Sequence, residues 1–110
     1  MNATYTYDEK INHIKEAILK NVPARYIYLF GSYVYGEPSA ESDIDIYAVI
    51  PDEIDKDPFL RGRILGELGD KKIYEVDLII KRESIFNYRK ERSLFEGIIS
   101  EKGKLIYEYT

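Results

Sequence analysis

The chain has no cysteine and no tryptophan, and one histidine, in 110 residues. Without cysteine, disulfides and thiolate zinc sites are excluded. The single histidine, His13, allows no convincing Ser-His-Asp arrangement; set on a helix among polar neighbours, it is read as a surface residue. No apolar run approaches the roughly 20 residues needed to span a bilayer. The first residues, MNATYTYDEK, lack the basic region and apolar stretch of a secretory signal, so a cytoplasmic protein with no membrane association is expected. Positive charge is also scarce. Sixteen Lys and Arg against 20 Asp and Glu leave a net charge of −4. A general nucleic-acid binder draws much of its affinity from neutralising phosphates, so direct nucleic-acid binding is not expected.

The composition that remains is 45% hydrophobic and 33% charged, which is that of a soluble globular chain rather than a disordered one. Its length suits one domain, residues 1–110, and no repeat, low-complexity tract or linker interrupts it. Eleven tyrosines against four phenylalanines is an unusual balance. Tyrosine has an apolar body and a polar tip, which suits both half-buried positions and a surface that meets another protein.

Thr6 and Glu9 have the spacing of a capping box, and Ile11, Ile14 and Ile18 follow at helical period, predicting a helix over 7–20. Pro23 ends it, because proline disfavours helix in the residue before it. Tyr26–Phe30 reads as the first strand, broken by Gly31-Ser32, with a short helical turn opening at Ser32. Ser42–Ile50 reads as the second strand, with Ile44, Ile46 and Ala48 on one face and Asp43, Asp45 and Tyr47 on the other. A helix over Phe59–Leu68 is weakened by Gly62 and Gly66. Ile73–Ile80 reads as the third strand, with Asp77 and Ile79 sharing a face. One last helix capped by Ser84 runs through Ile99 to a stop at Gly103, and Lys104–Tyr109 follows as an edge strand. The fold class is α/β (α+β), a mixed sheet of about four strands flanked by helices, with the helices drawn to one side.

Asp43 and Asp45 carry the chemistry. A spacing of two on a strand aims both carboxylates the same way, about 7 Å apart at ~3.3 Å of rise per residue. Two such acids repel unless something positive lies between them. Two readings stand: a solvated pair on an exposed strand face, or a site for Mg²⁺, which takes hard oxygen ligands and keeps positions open for phosphate. Asp is disfavoured in strands, and Asp77 breaks the third strand as Asp45 breaks the second. If those strands are neighbours, three carboxylates converge as in a two-metal phosphoryl-transfer site. Gly31-Ser32 is either a plain strand-ending turn or a place where backbone can approach phosphate without a Cβ in the way.

Leu29-Phe30-Gly31-Ser32, Gly36 and Ser42-Asp43-Ile44-Asp45-Ile46 together resemble the signature of the DNA-polymerase-β-like nucleotidyltransferases. The resemblance is closest to the minimal nucleotidyltransferases, small proteins often paired with a HEPN-type toxin, and it spans nearly the whole chain. It implies a polymerase-β palm-like fold and Mg²⁺ held by Asp43 and Asp45. Asp77 would complete the cluster and help orient or deprotonate the attacking hydroxyl. Gly31 and Ser32 would hold the β and γ phosphates of ATP, with Ser42 among the nucleotide-binding residues. The implied function is transfer of AMP to a tyrosine of a cognate HEPN-type ribonuclease toxin, with this chain as the antitoxin. The alternatives are an antitoxin that neutralises by binding alone, favoured by the tyrosine content, and, less favoured, an aminoglycoside-like transferase acting on a small molecule. One departure stands out: Tyr35 occupies a position where a basic residue is common, and tyrosine cannot replace that charge. Arg61, Arg63, Lys81 and Arg82 are the candidates to supply it from elsewhere.

Overall fold

The computed structural model describes residues 5–36, 43–55 and 57–109. Helix α1 (Tyr7–Asn21) starts at the expected capping box: the Glu9 N–H donates to Thr6 Oγ1 at 3.1 Å, and the Thr6 N–H to Glu9 Oε1 at 2.9 Å. Strand β1 (Tyr26–Phe30) runs into the one-turn helix α2 (Ser32–Tyr35), and β2 (Ile44–Ile50) follows. Helix α3 (Leu60–Asp70) crosses over to β3 (Val76–Arg82). Helices α4 (Glu83–Lys90) and α5 (Leu94–Lys102) lead to β4 (Lys104–Glu108).

The sheet order is β3-β2-β1-β4. β1 is antiparallel to both β2 and β4, while β2 and β3 are parallel, as a helical crossover requires. β4 is an edge strand, as expected. Strand alternation gives the sheet two different faces. Ile27, Leu29, Ile44, Ile46, Ala48 and Leu78 face α1 and α3 and pack with Ile14, Ile18, Ile64 and Leu68. Phe30, Tyr47 and Val49 face the other way and pack with Phe86 of α4 and Ile99 of α5. Helices therefore cover both faces, which corrects the expectation that they lie to one side: the second face carries its own aromatic core.

The single last helix is also corrected. It is two helices, α4 and α5, with Ser93 as the N-cap of the second. A Cβ on Gly97 would stand 3.1 Å from the Lys90 carbonyl oxygen, so this glycine lets the start of α5 lie against the end of α4. Ser84 is not the N-cap of α4, since Arg82 holds that place. The Ser84 N–H instead donates to the Asp52 carboxylate at 3.0 Å, so the acidic loop after β2 satisfies one of the unpaired amides of α4. Phe59, expected inside α3, is its N-cap and is exposed. β3 begins at Val76 rather than Ile73, because Lys72 takes a left-handed turn (φ 64°) and Ile73 drops into the core ahead of the strand.

Candidate functional site

Three sequence features meet at one end of the sheet. β1 ends there, and β2 and β3 begin there. Phe30 is the Cα partner of Asp45, and Asp45 is the Cα partner of Asp77. Paired residues on adjacent strands point to the same face, about 4.8 Å from strand to strand. Asp77, Asp45 and Phe30 thus form a row across three strands on the face that carries Tyr47. Asp43 stands two residues before Asp45, just ahead of β2, and is exposed like Asp77; Asp45 is half-buried.

Gly31 joins the turn to this row. Its backbone (φ 80°, ψ −153°) lies where residues with a side chain are strained. A Cβ built there would overlap the Asp45 carboxylate and stand 2.9 Å from its Cγ. The space left by the missing side chain is therefore taken by Asp45 itself. Sequence reasoning placed the glycine correctly but gave it a different reason, approach of a ligand to the backbone. The turn is held from behind: the Val34 and Tyr35 N–H groups both donate to the Gly31 carbonyl at 2.9 Å, and Gly36 N–H donates to Ser32 O at 3.2 Å.

Burial raises the Asp45 carboxyl above its usual range, and the charges of Asp77 and then Asp43 push it the same way. The row is a concentration of negative charge that a cation would relieve. Among the described residues, no group of three or more His, Cys, Asp or Glu side chains is placed to hold a metal ion. Mg²⁺ is commonly held through one or two carboxylates with the remaining positions left to water and substrate phosphates. Asp45 and Asp77, paired across β2 and β3, offer hard oxygen donors of that kind.

Ser42 lies outside the described residues. Tyr33 stacks on Tyr7 at 4.6 Å and 17°, so its ring packs within the fold, while Tyr35 is exposed. The cations proposed to replace a basic residue at position 35 are not at the turn. Arg61 Nε donates to the Leu78 carbonyl at 2.8 Å, Arg82 to the Ile54 carbonyl at 2.7 Å, and Arg63 pairs with Asp57 at 2.6 Å. Lys81 lines a cleft of about 580 Å³ by the C-terminal ends of β2 and β3, away from the acids. His13 is half-buried rather than on the open surface. Its ring meets Tyr5 edge-on at 4.7 Å and lines a cleft of about 270 Å³ between α1 and α3 that contains none of the three acids.

Sequence reasoning missed a polar group buried beside the row. The Tyr47 hydroxyl donates to Glu96 Oε2 at 3.0 Å, and Arg89 stands 3.6 Å from the same oxygen. Glu96 is 2% exposed. Two signals could have found it: a lone acid in the otherwise uncharged stretch Leu94–Ser100, and the Ser93-x-x-Glu96 spacing that marks a helix start.

With this geometry, the comparisons with known proteins agree on one kind of protein. The model of the family described as Polymerase beta, Nucleotidyltransferase matches residues 12–110. A Methanocaldococcus jannaschii protein, named as a protein adenylyltransferase, is 29% identical over 107 residues, covering 97% of this chain and 100% of the relative. A solved toxin–antitoxin structure with AMP-PNP superposes with a TM-score of 0.61 at 25% identity, over 90% of this chain and 73% of the other. A structure of tri-AMPylated Shewanella oneidensis HEPN toxin in complex with MNT antitoxin gives a TM-score of 0.61 at 24% identity, over 94% of this chain and 74% of the other. At that identity the second likeness speaks for the fold.

Proposed function

The chain belongs to the polymerase beta nucleotidyltransferase family, and from that premise we propose that it transfers AMP from ATP to a tyrosine hydroxyl of a HEPN-type toxin, which it thereby neutralises as an antitoxin. Residues 1–110 act in this reading as one nucleotidyltransferase domain. The observation that carries it is the row Asp45–Asp77 set against the Gly31 turn. A protein that only binds has no physical need for two acids paired across strands with a third two residues away. The named relative and the toxin–antitoxin structure with a nucleotide analogue support the direction of the reading.

Asp43, Asp45 and Asp77 are the residues that would hold magnesium. When bound, the ion supplies neutralisation of the charge on the triphosphate and on the leaving pyrophosphate. The chain supplies position. Gly31 and Ser32 would offer backbone and hydroxyl donors to the β and γ phosphates, and Ser42 is a further candidate for nucleotide binding. The acceptor oxygen bonds to the α phosphorus as the bond from that phosphorus to the bridging oxygen breaks. Pyrophosphate leaves, and the hydroxyl proton passes to Asp77, the exposed carboxylate of the row. This is mostly orientation and charge stabilisation, with little covalent work for the protein.

The test is an incubation of a purified HEPN-type protein with the chain, ATP and Mg²⁺, read by intact mass. Adenylyl groups should appear on the acceptor and be lost with Asp45→Asn. A second reading, neutralisation by binding alone, is favoured by the exposed Tyr35 and by Arg61, Arg63 and Arg82 being engaged elsewhere. It prevails if no mass is gained and Asp43→Ala/Asp45→Ala still neutralises the toxin.

A further inference from the structure

Helix α5 is turned the unexpected way round. It buries the carboxylate of Glu96 and exposes Leu94 (81%), Phe95 (44%) and Ile98 (37%). At 3.6 residues per turn these three occupy one arc of about 100°, with Glu96 roughly opposite and Ile99 between Phe95 and Glu96. A half-turn of the helix would bury the apolar arc and return the charge to water, which burial terms alone favour. The orientation is held by particular partners. Tyr47 donates to Glu96, Arg89 faces the same oxygen, and Gly97 lets α5 lie against α4.

The apolar arc borders the acidic row. The Phe95 ring packs edge-on against Phe30 at 5.5 Å and stands 6.3 Å from Tyr47. Phe30 is the strand partner of Asp45, and Tyr47 lies two residues along β2 on the same face. Charge around the arc differs from that of the whole. Between residues 89 and 104 stand five cations (Arg89, Lys90, Arg92, Lys102, Lys104) and three acids, a local balance of +2 in a chain of net −4.

We infer that the Leu94–Phe95–Ile98 face of α5 is where the acceptor protein docks, through an apolar patch with an acidic rim, presenting its hydroxyl to the row of acids beside Phe95. This rests on the reading of the chain as a transferase acting on a protein. The Glu96–Tyr47 bond is then a positioning device: it fixes the rotation of the docking helix relative to the strand that carries Asp45.

The test measures binding and transfer separately, with a purified HEPN-type protein as the acceptor. Leu94→Asp and Ile98→Asp change exposed side chains and leave the acids untouched. Each should weaken binding by calorimetry about tenfold or more, as for a central anchor, and raise KM for the acceptor with kcat kept. ATP binding in Mg²⁺ should stay as in the unaltered chain. Affinity of the unaltered chain should also fall with added salt. Unchanged acceptor affinity in both variants overturns the inference, as does an unaltered chain that does not bind the HEPN-type protein. Self-association in sedimentation equilibrium that Leu94→Asp abolishes overturns it too, by making a second copy the occupant. Tight binding that Leu94→Asp disrupts, with no adenylyl transfer, sustains the docking face and sinks the enzymatic reading instead, so the two fail separately.

Discussion

Gly31→Ala tests how the turn and the acids are joined. Two penalties are built into the substitution. The first is conformational: the backbone at φ 80°, ψ −153° is close to glycine-only, and holding another residue there costs about 1–3 kcal/mol. The second is contact: the new methyl would overlap the Asp45 carboxylate. A carboxylate is the free end of a side chain, so it can swing away, and the overlap falls on the site more than on the fold. For a chain of this size, 1–3 kcal/mol corresponds to a drop in Tm of roughly 4–12 °C. Differential scanning calorimetry on Gly31→Ala, Asp45→Ala and the double variant separates the two penalties. In the Asp45→Ala background the overlap is gone, so the cost of Gly31→Ala should shrink to the backbone strain. Adenylyl transfer by Gly31→Ala should fall further than its stability does, because Asp45 is displaced from the row. Equal losses of Tm in the two backgrounds would refute the contact. Full activity in Gly31→Ala would refute the link between glycine and site.

Two further substitutions test other parts of the structure. Tyr47→Phe removes the hydroxyl that serves buried Glu96 and should cost about 1–3 kcal/mol in urea denaturation at neutral pH. It should also move the acid transition. Burial pushes the Glu96 carboxyl up, but hydrogen bonds from Ser93, Tyr47 and its own backbone, with Arg89 nearby, outweigh this and hold it below its usual value. A carboxyl lowered by folding adds stability above its unfolded value of about 4.3 and loses it as pH falls through the folded one. Without the hydroxyl the lowering is smaller, so that loss should be smaller and complete at a higher pH; an unchanged pH dependence of stability would count against the network. Gly66→Ala should stabilise the chain by about 0.5–1 kcal/mol, since the position is helical and exposed and a Cβ there meets open space. A lower Tm for Gly66→Ala would show that α3 needs that glycine for a reason its surroundings do not reveal.

What could be read from the sequence follows the range of each signal. Strand parity is local and rigid, so the sequence aims Asp43 and Asp45 to one face, while Asp77 joins them only if β2 and β3 are neighbours; the parallel register pairs it with Asp45. The capping box at Thr6 and Glu9 is local too, and it formed as expected. The same spacing at Ser93 and Glu96 was available, but the apolar period running from Ile85 to Ile99 hid the break between α4 and α5. Gly31 was recognisable as a turn. Its true constraint, the Asp45 carboxylate, comes from 14 residues along the chain and a neighbouring strand. The pairing of Glu96 with Tyr47 was not legible for the same reason: the two lie 49 residues apart. The helix count on each face also escaped notice, because Phe30, Tyr47 and Phe86 are aromatic residues that suit a half-exposed surface as well as a second core.

In the proposed reaction, the electrostatics of the row govern how a small acidic chain would meet a triphosphate. Asp45 already bears the repulsion of Asp77 and Asp43, and the exposed Tyr35 brings no positive charge to the turn. Arg61 and Arg82 hold backbone carbonyls, and Arg63 is paired with Asp57. A triphosphate meeting this end of the sheet without a cation would face charge of its own sign. In the proposed reaction the carboxylates would hold a divalent ion, which would neutralise charge on both partners. Phe95 of α5 packs against Phe30, the strand partner of Asp45, so this helix borders the row. Taken together, the two proposals would bring metal and nucleotide to the row and an acidic protein surface to the helix beside it.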